Sequence, residues 1–226
     1  MKRLNIFIDE TGEFGFNKRS AKLYGVSFVF HEQSNDISNE IEKLKQNMQL
    51  LGFSGMVHMG DLVAGHGDFS GMSIAKRRKI YNALYRFSTR IKATYSTIII
   101  NKHDIKNNAA LSKTIERQIQ NVIVDSLVYF QSFDQIVVYY DGGQKPLNKI
   151  VSETFLKLNS AMLKSDFDHV EKKIFQVADM LTYVDKLIYK YQHKERFTAT
   201  ESAFFSPKLI KYTIIELGKH RFKPSK

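Results

Sequence analysis

The sequence predicts an α/β layered domain built around a mixed β-sheet. Apolar runs of strand length, at residues 4–9, 93–101 and 135–140, alternate with longer segments of helical periodicity, which is typical of α/β proteins. The strand predicted at residues 23–31 follows the first across a Gly-containing turn, which indicates a hairpin and an antiparallel part of the sheet. No Pro/Gly/Ser-rich linker interrupts the chain, so we expect one domain over residues 1–218.

The helices are predicted from apolar residues at helical spacing and from capping residues. Ile41, Leu44 and Met48 mark the first helix, and Ser73 is a candidate N-cap of the second. The Gly-rich segment at residues 53–71 predicts a loop. The remaining assignments are helices at 38–51, 73–92, 110–130, 147–163 and 175–191, a short strand at 170–173, no assignment at 207–217, and a frayed basic tail at 219–226.

The chain carries a large excess of basic residues. Lys and Arg number 34 and Asp and Glu 23, so the formal net charge is +11, and the sequence pI is near 9.6. An excess of this size favours a polyanionic partner, DNA or RNA, between which the sequence does not decide. The alternative is a protein whose many lysines are only solvated. The sequence leaves a homodimer open.

The composition excludes several classes of protein. There is no cysteine, so disulfides and thiolate metal sites are excluded, and any metal must bind oxygen or imidazole. No apolar stretch approaches the ~20 residues that span a bilayer, and we expect no membrane partner. The apolar run at residues 4–8 is too short for the core of a signal peptide, so a cytoplasmic location is expected.

Two aspartates follow apolar strands directly. Asp9 ends the first predicted strand, and Asp141 follows the strand at residues 135–140. In open α/β sheets, ligands bind in the crevice beyond the carboxyl ends of the strands, so the two acids are expected to meet there. The alternative is that each aspartate starts a turn, since Asp-Gly is a strong turn dipeptide.

Asp179 is the only charged residue between Ile174 and Val184. Helical periodicity places it on a largely uncharged face, which predicts a buried carboxylate. Such a group is costly unless it is paired, protonated or bound to a metal, and the alternative is a salt bridge to a Lys or Arg. Converging carboxylates bind Mg²⁺ or Mn²⁺, and two such ions about 4 Å apart stabilise the attacking and leaving oxygens in phosphodiester cleavage.

Three segments resemble the bacterial and phage family named domain of unknown function 3800. Residues 9–12, Asp-Glu-Thr-Gly, resemble its Asp-Glu-Ser-Gly start, and residues 176–181, Gln-Val-Ala-Asp-Met-Leu, resemble its late helix signature. Asp141 matches the family's middle acid. The order and spacing match over nearly the whole chain, although the motifs are short. Thr11 stands where Ser is common, and Thr182 stands where a small Ala is usual.

The resemblance implies a fold and a chemistry. The family is similar to the ribonuclease H-like fold, a mixed five-stranded sheet flanked by helices on both faces. In that fold one acid lies on the first strand, one on the fourth and one on a C-terminal helix, which correspond to Asp9, Asp141 and Asp179. The resemblance therefore implies metal-dependent nuclease chemistry with Mg²⁺ or Mn²⁺.

Further candidates lie beside these acids. Glu10 or Asp61 would supply a fourth acid, although Glu10 needs the turn to redirect it because adjacent strand residues face opposite ways. His58 would position a water or a phosphate, in a segment where the family often carries a polar residue. A separate metal site is an alternative, and it would be built from His58, Asp61, His66 and Asp68.

A basic stripe is predicted on the helix at residues 73–92, formed by Lys76, Lys79, Arg86 and Arg90. It predicts either a nucleic-acid-binding ridge or a solvated face. The leading functional prediction is a metal-dependent nuclease that cleaves phosphodiesters. The alternatives are a non-catalytic nucleic-acid- or protein-binding module on the same fold, and a phosphotransferase or phosphatase.

Overall fold

The computed structural model describes residues 1–16, 21–158 and 160–223. These residues form one five-stranded sheet, nine α-helices and two single 3-10 turns. The strands are β1 (Arg3–Thr11), β2 (Leu23–Glu32), β3 (Ala93–Asn101), β4 (Gln135–Tyr139) and β5 (Ala161–Lys164). The helices are α1 (Ser38–Leu50), α2 (Met59–Ala64), α3 (Ile74–Arg90), α4 (Asn108–Val124), α5 (Leu127–Gln131), α6 (Lys145–Phe155), α7 (His169–Gln192), α8 (Ala199–Phe204) and α9 (Pro207–Gly218).

The sheet has the strand order β3-β2-β1-β4-β5, with β1 in the centre. β1, β2 and β3 form an antiparallel meander, and β4 and β5 run parallel to β1 and to each other. β1 is paired on both sides: Asn5 lies opposite His31 of β2 and Val137 of β4. The predicted mixed sheet with an opening hairpin is confirmed.

Helices cover both faces of the sheet because β1 is apolar on both. Leu4, Ile6 and Ile8 point into a core shared with α4 and α6. Phe7 points into the other core, which α1, α3 and α7 close. A strand that is buried on both faces lies in the middle of a three-layer domain.

Three element predictions are wrong. The strand predicted at residues 170–173 belongs to α7, which starts earlier because Asp168 and Glu171 form a capping box. The helix predicted at 147–163 ends at Phe155 and gives way to β5, which pairs with β4. The helix predicted at 110–130 is broken between α4 and α5.

The segments expected to be irregular are more ordered than predicted. The loop predicted at residues 53–71 contains α2 and a 3-10 turn at Gly67–Phe69. Residues 220–222 are not frayed: the Tyr95 amide donates to His220 O, and the Phe222 amide donates to Tyr95 O. Residues 224–226 of the predicted tail lie outside the described residues. In the described part of the chain, no helix is long and apolar enough to cross a membrane.

Candidate active site

The site lies where β1 and β4 end. These strands are parallel neighbours, so their carboxyl ends share one edge of the sheet. Asp9 and Glu10 are in the last three residues of β1, and Asp141 follows β4 after Tyr140. The parallel pairing therefore brings together two acids that are more than a hundred residues apart in the chain, at the edge where α/β proteins bind ligands.

Asp9 is the electrostatic centre of this group. Burial raises the pKa of its carboxyl well above the ordinary value, and the charges of Asp179, Glu10 and Asp141 raise it further. The hydrogen bond from the Glu10 backbone opposes the shift only in part. Charges act on a carboxyl in this way only at short range, so the other three acids lie near Asp9.

Asp179 approaches Asp9 from α7, which packs against β1 and β2. Two buried hydrogen bonds between hydroxyl groups and the backbone hold the helix against β2. Thr182 donates to Ser27 Oγ at 2.5 Å, and Ser27 donates to the Ala178 carbonyl at 2.8 Å. Thr182 Oγ1 also lies 3.3 Å from Asp9 O. The threonine that departs from the resembled family thus links the helix to both strands.

The Asp179 carboxylate is less buried than predicted, since 19% of its side chain is exposed. Its Oδ2 accepts the Met59 amide at 2.9 Å and lies 3.8 Å from His58 Nδ1. Burial raises the pKa of Asp179 to about 6, although the Met59 amide and His58 hold it down. Asp179 is therefore not a lone charge in a core but a partly exposed carboxylate beside His58 and Met59.

Glu10 and Asp141 share a second part of the site. A Cβ placed on Gly143 would lie 3.0 Å from Glu10 Oε1 and 3.3 Å from Asp141 Oδ1, so a side chain at 143 would fill the space between them. Burial raises the pKa of Glu10 to about 7, against the effect of the Tyr140 hydroxyl. Among the described residues, no hydrogen-bond donor reaches Glu10 Oε2. The strand end therefore does redirect Glu10 toward the other acids.

The segment that carries His58 and Asp61 is held by two hydrogen bonds to α7. Gln176 of α7 accepts the Val57 amide at 2.9 Å, next to the bond between Met59 and Asp179. The His58 side chain is 62% exposed at the mouth of the site. Asp61 lies in the first turn of α2, is exposed, and acts on the Asp179 carboxyl as a nearby negative charge. Both residues thus border the Asp179 side of the site.

The side chains do not form a ready-made metal cage. Within residues 1–16, 21–158 and 160–223, no group of three or more His, Asp or Glu side chains is placed so that it could hold a metal ion. This holds for the acids around Asp9 and for the alternative set of His58, Asp61, His66 and Asp68. The acids are close enough to shift one another's pKa, but a shared ion would have to draw them together.

Two further residues near the acids, Lys186 and Arg77, are absent from the sequence prediction. Lys186 lies seven residues after Asp179, on the same face of α7, and its Nζ is 3.4 Å from Thr11 Oγ1. Burial lowers the pKa of Lys186 to about 8, which Glu201 and Asp179 oppose. The buried Arg77 donates from Nη1 to the carbonyls of Leu62 and Val63 at the end of α2. Helical spacing from Asp179 pointed to Lys186, whereas no local signal marked Arg77.

The predicted basic stripe follows the outer surface of α3. Lys79, Arg86 and Arg90 are exposed, and Lys76 is half-buried. Lys79 and Arg86 line a shallow cavity of about 290 Å³ against α1, and Arg90 Nη1 lies 4.0 Å from Glu40 Oε2. The stripe starts at the end of α3 that contacts α2 and runs away from the acids, so these residues are not part of the carboxylate site.

No family model matches the chain, and no curated protein matches it. Among solved structures, it is similar to a chain in the structure of the PCNA:RNase HII complex from Archaeoglobus fulgidus. The identity is 12%, the TM-score is 0.42, and the match covers 97% of this chain and 91% of that chain. The strand order and strand directions, rather than this likeness, define the fold, which is a mixed five-stranded α/β fold of the ribonuclease H-like type.

Proposed function

We propose that the protein is a metal-dependent nuclease that hydrolyses phosphodiester bonds in nucleic acid. One observation carries the proposal: Asp9, Glu10, Asp141 and Asp179 converge at the shared carboxyl edge of β1 and β4, and each of the other three raises the pKa of Asp9. Holding four acids close together lowers the stability of the fold, even in a protein of net charge +11, unless the acids bind a ligand.

The residues fit a hard divalent cation. They offer only carboxylate oxygens and the His58 imidazole, which suit Mg²⁺ or Mn²⁺. Glu10 Oε2, which no donor among the described residues reaches, is a buried acceptor of the kind that a cation would satisfy. Asp9, Asp141 and Asp179 would hold the metal, with Glu10 or Asp61 as a fourth acid.

A bound metal would stabilise the charge that develops on the attacking and leaving oxygens of the phosphodiester. The chain's own residues would orient the substrate. His58 is exposed beside Asp179, so it would contact a phosphate oxygen or the attacking water. The Met59 amide, which donates to Asp179 Oδ2, keeps that carboxylate aimed at the site.

The substrate, the location and the family belong to the same proposal. The substrate is DNA or RNA, and the location is cytoplasmic. Membership of the domain of unknown function 3800 family is proposed from residues 9–12, from Asp141 and from residues 176–181. The arrangement of Asp9 on β1, Asp141 after β4 and Asp179 on α7 supports it.

The test is a cleavage assay on labelled single- and double-stranded DNA and RNA with Mg²⁺ or Mn²⁺. Asp9→Asn and Asp179→Asn are each expected to lower the rate by more than about a hundredfold, since the loss of outer-shell partners alone costs 10–100-fold at metal sites. Asp125→Asn is the matched control because Asp125 is an exposed acid at the end of α4, on the other side of the sheet.

A second readout is the melting temperature of the wild-type protein, which Mn²⁺ is expected to raise and which it should raise less in Asp9→Asn. Cleavage that survives both active-site substitutions would refute the proposal. Nucleic-acid binding with neither cleavage nor a Mn²⁺-dependent rise in melting temperature would favour the non-catalytic binding module.

A further inference from the structure

A basic groove lies at the end of the sheet opposite to the carboxylates. It has a volume of about 650 Å³ and is enclosed by the end of β2, the turn from α3 into β3, and the residues that follow α9. Pockets of this size hold drug-sized ligands. None of the acids around Asp9 lines it.

The floor of the groove is aromatic. The Phe222 ring lies 4.7 Å from that of Phe30 and 5.0 Å from that of Tyr129, measured between centroids. Tyr129 and Phe222 are only half-buried, so part of each ring faces the groove. Partly exposed aromatic rings in a groove are the feature on which single-stranded bases stack.

The rim of the groove is basic, formed by Arg90, Lys92, Lys219, Arg221 and Lys223. Among the described residues, Lys92 and Lys223 make no ion pair, and Lys219 pairs only with the half-buried Glu216 of α9. Arg221 is bound to the buried Asp185 and holds the segment in place. The one lining carboxylate, Glu32, lies 3.9 Å from Lys2 Nζ. The free charge of the groove is therefore positive.

The groove and the carboxylates can be reached by one strand of nucleic acid. Glu32 lies five residues along β2 from Ser27, the partner of Asp9, which corresponds to about 17 Å. Arg90 belongs both to the groove and to the basic stripe, which continues along α3 through Arg86 and Lys79 toward α2. Positive charge thus runs from the groove toward the end of the sheet where the acids lie.

We propose that this groove is a second binding site that holds single-stranded nucleic acid, with phosphates on Lys92, Lys219 and Lys223 and a base on the Tyr129 and Phe222 rings. The inference rests on the proposed function only in taking nucleic acid as the partner. A single strand is favoured over a duplex because the aromatic floor can be used only by unpaired bases. The juxtaposition that carries it is an aromatic floor inside a basic rim, in which Lys92 and Lys223 make no ion pair among the described residues.

The test measures binding without cleavage. The wild-type protein is titrated in EDTA against a labelled oligothymidylate of about 16 nucleotides and against a duplex of equal length, with fluorescence anisotropy as the readout. The double substitution Lys92→Glu/Lys223→Glu is expected to weaken single-strand binding by about tenfold or more. In Lys92→Gln/Lys223→Gln, the slope of log K against log salt should fall by about 0.7 for each phosphate that the protein no longer neutralises.

The matched control is Lys113→Glu/Lys149→Glu, which changes the net charge equally on α4 and α6. Both control lysines are exposed, and neither lines the groove. Equal weakening by the two pairs would overturn the proposal, because general charge would then explain the binding. So would wild-type protein that binds neither probe, or that binds the duplex more tightly than the single strand. Because the titration contains no free metal ion, it measures binding independently of cleavage. Failure of the cleavage assay would leave the binding result standing, and failure of the binding test would leave the cleavage result standing.

Discussion

The acids around Asp9 differ in how far water reaches them. Asp141 is exposed, Asp9 and Glu10 are half-buried, and 19% of the Asp179 side chain is exposed. The more buried acids hold their protons longer because the charged form loses hydration and faces its neighbours' charges. The more buried carboxyl groups of the site therefore stay protonated at mildly acidic pH, and cation binding should release their protons.

The raised pKa of Glu10 predicts how stability depends on pH. The folded state holds this proton up to about pH 7, whereas the unfolded chain loses it near 4.5. Between these values the folded state binds more protons, so the free energy of unfolding should fall as pH rises, by up to about 3 kcal/mol from Glu10. Urea unfolding in EDTA across this range measures it.

Glu10→Gln should flatten that pH profile, because the substituted side chain has no proton to lose. Glu153→Gln is the control, since Glu153 is an exposed acid on α6. A wild-type profile that is level, or that rises with pH in this window, would contradict the assignment of a raised pKa to Glu10.

Lys186 is expected to act on the substrate rather than on the fold. Its ammonium faces Thr11 and the Asp179 side of the site, where a scissile phosphate would lie. Lys186→Met should lower kcat for cleavage by about a hundredfold, the loss typical of one electrostatic contact to the transition state. The melting temperature should stay level or rise, because burial already disfavours the charge of Lys186.

The control for this prediction is Lys172→Met, which removes an exposed lysine of the same helix. Steady-state cleavage and thermal unfolding are measured on both variants. If Lys186→Met melts at a much lower temperature, its role is structural and the loss of cleavage says nothing about the substrate.

At the scale of elements, α2 depends on a side chain from α3. Arg77 Nη1 donates to Leu62 O at 2.6 Å and to Val63 O at 2.7 Å, and its Nε donates to Met72 O. A helix of six residues cannot hold itself in water, so this cation fixes its C-terminal carbonyls. Because α2 begins at Met59, the same contact keeps the Met59 amide on Asp179.

Arg77→Met should therefore lower the free energy of unfolding by about 2–3 kcal/mol, the cost of losing hydrogen bonds from a buried charged donor. Arg86→Met, an exposed change on the same helix, should stay within about 0.5 kcal/mol of the wild type. Urea denaturation compares the two. Equal stability of both variants would show that α2 does not depend on Arg77.

The elements that sequence predicted well are those with a strong local pattern. β1 to β4 are rich in Val, Ile, Phe and Tyr, and Ser73 caps α3 by accepting the Lys76 amide. β5 was missed because Ala161–Lys164 has no strand pattern of its own and extends only by pairing with β4. The apolar pattern places the start of α7 too late, because the helix begins at the capping box of Asp168, ahead of the apolar residues.

The candidate site shows the same division between local and long-range information. Asp9 and Asp141 were predicted because parallel strands end at a common edge, a rule that needs only topology. Arg77 could not be predicted, since its partners on α2 are defined by the packing of one helix on another. The electrostatic grouping of Asp9, Asp141 and Asp179 also depends on the angle at which α7 crosses the sheet, which sequence does not encode locally.

At the scale of the molecule, charge is divided by region. The acids that raise one another's pKa lie at one end of the sheet. The basic stripe lies on the outer surface of α3, and the basic groove lies at the opposite end of the sheet. The net charge of +11, which is that of the whole chain, favours attraction of a polyanion over distances of about a Debye length. In the proposed nuclease, the acids would meet the phosphates only once the nucleic acid is already bound.

From the pairing of β1 with β4 we expect an order in which the sheet folds. β1 and β2 are close in sequence and pair early, but Asn5 meets Val137 only after a loop of about 130 residues closes, which is entropically slow. Asp141 joins Asp9 only when these two strands pair, and Asp179 joins it when α7 packs on β1 and β2. Mutual repulsion of the acids therefore opposes the end of folding rather than its beginning, and refolding should be faster at pH values where Glu10 is protonated.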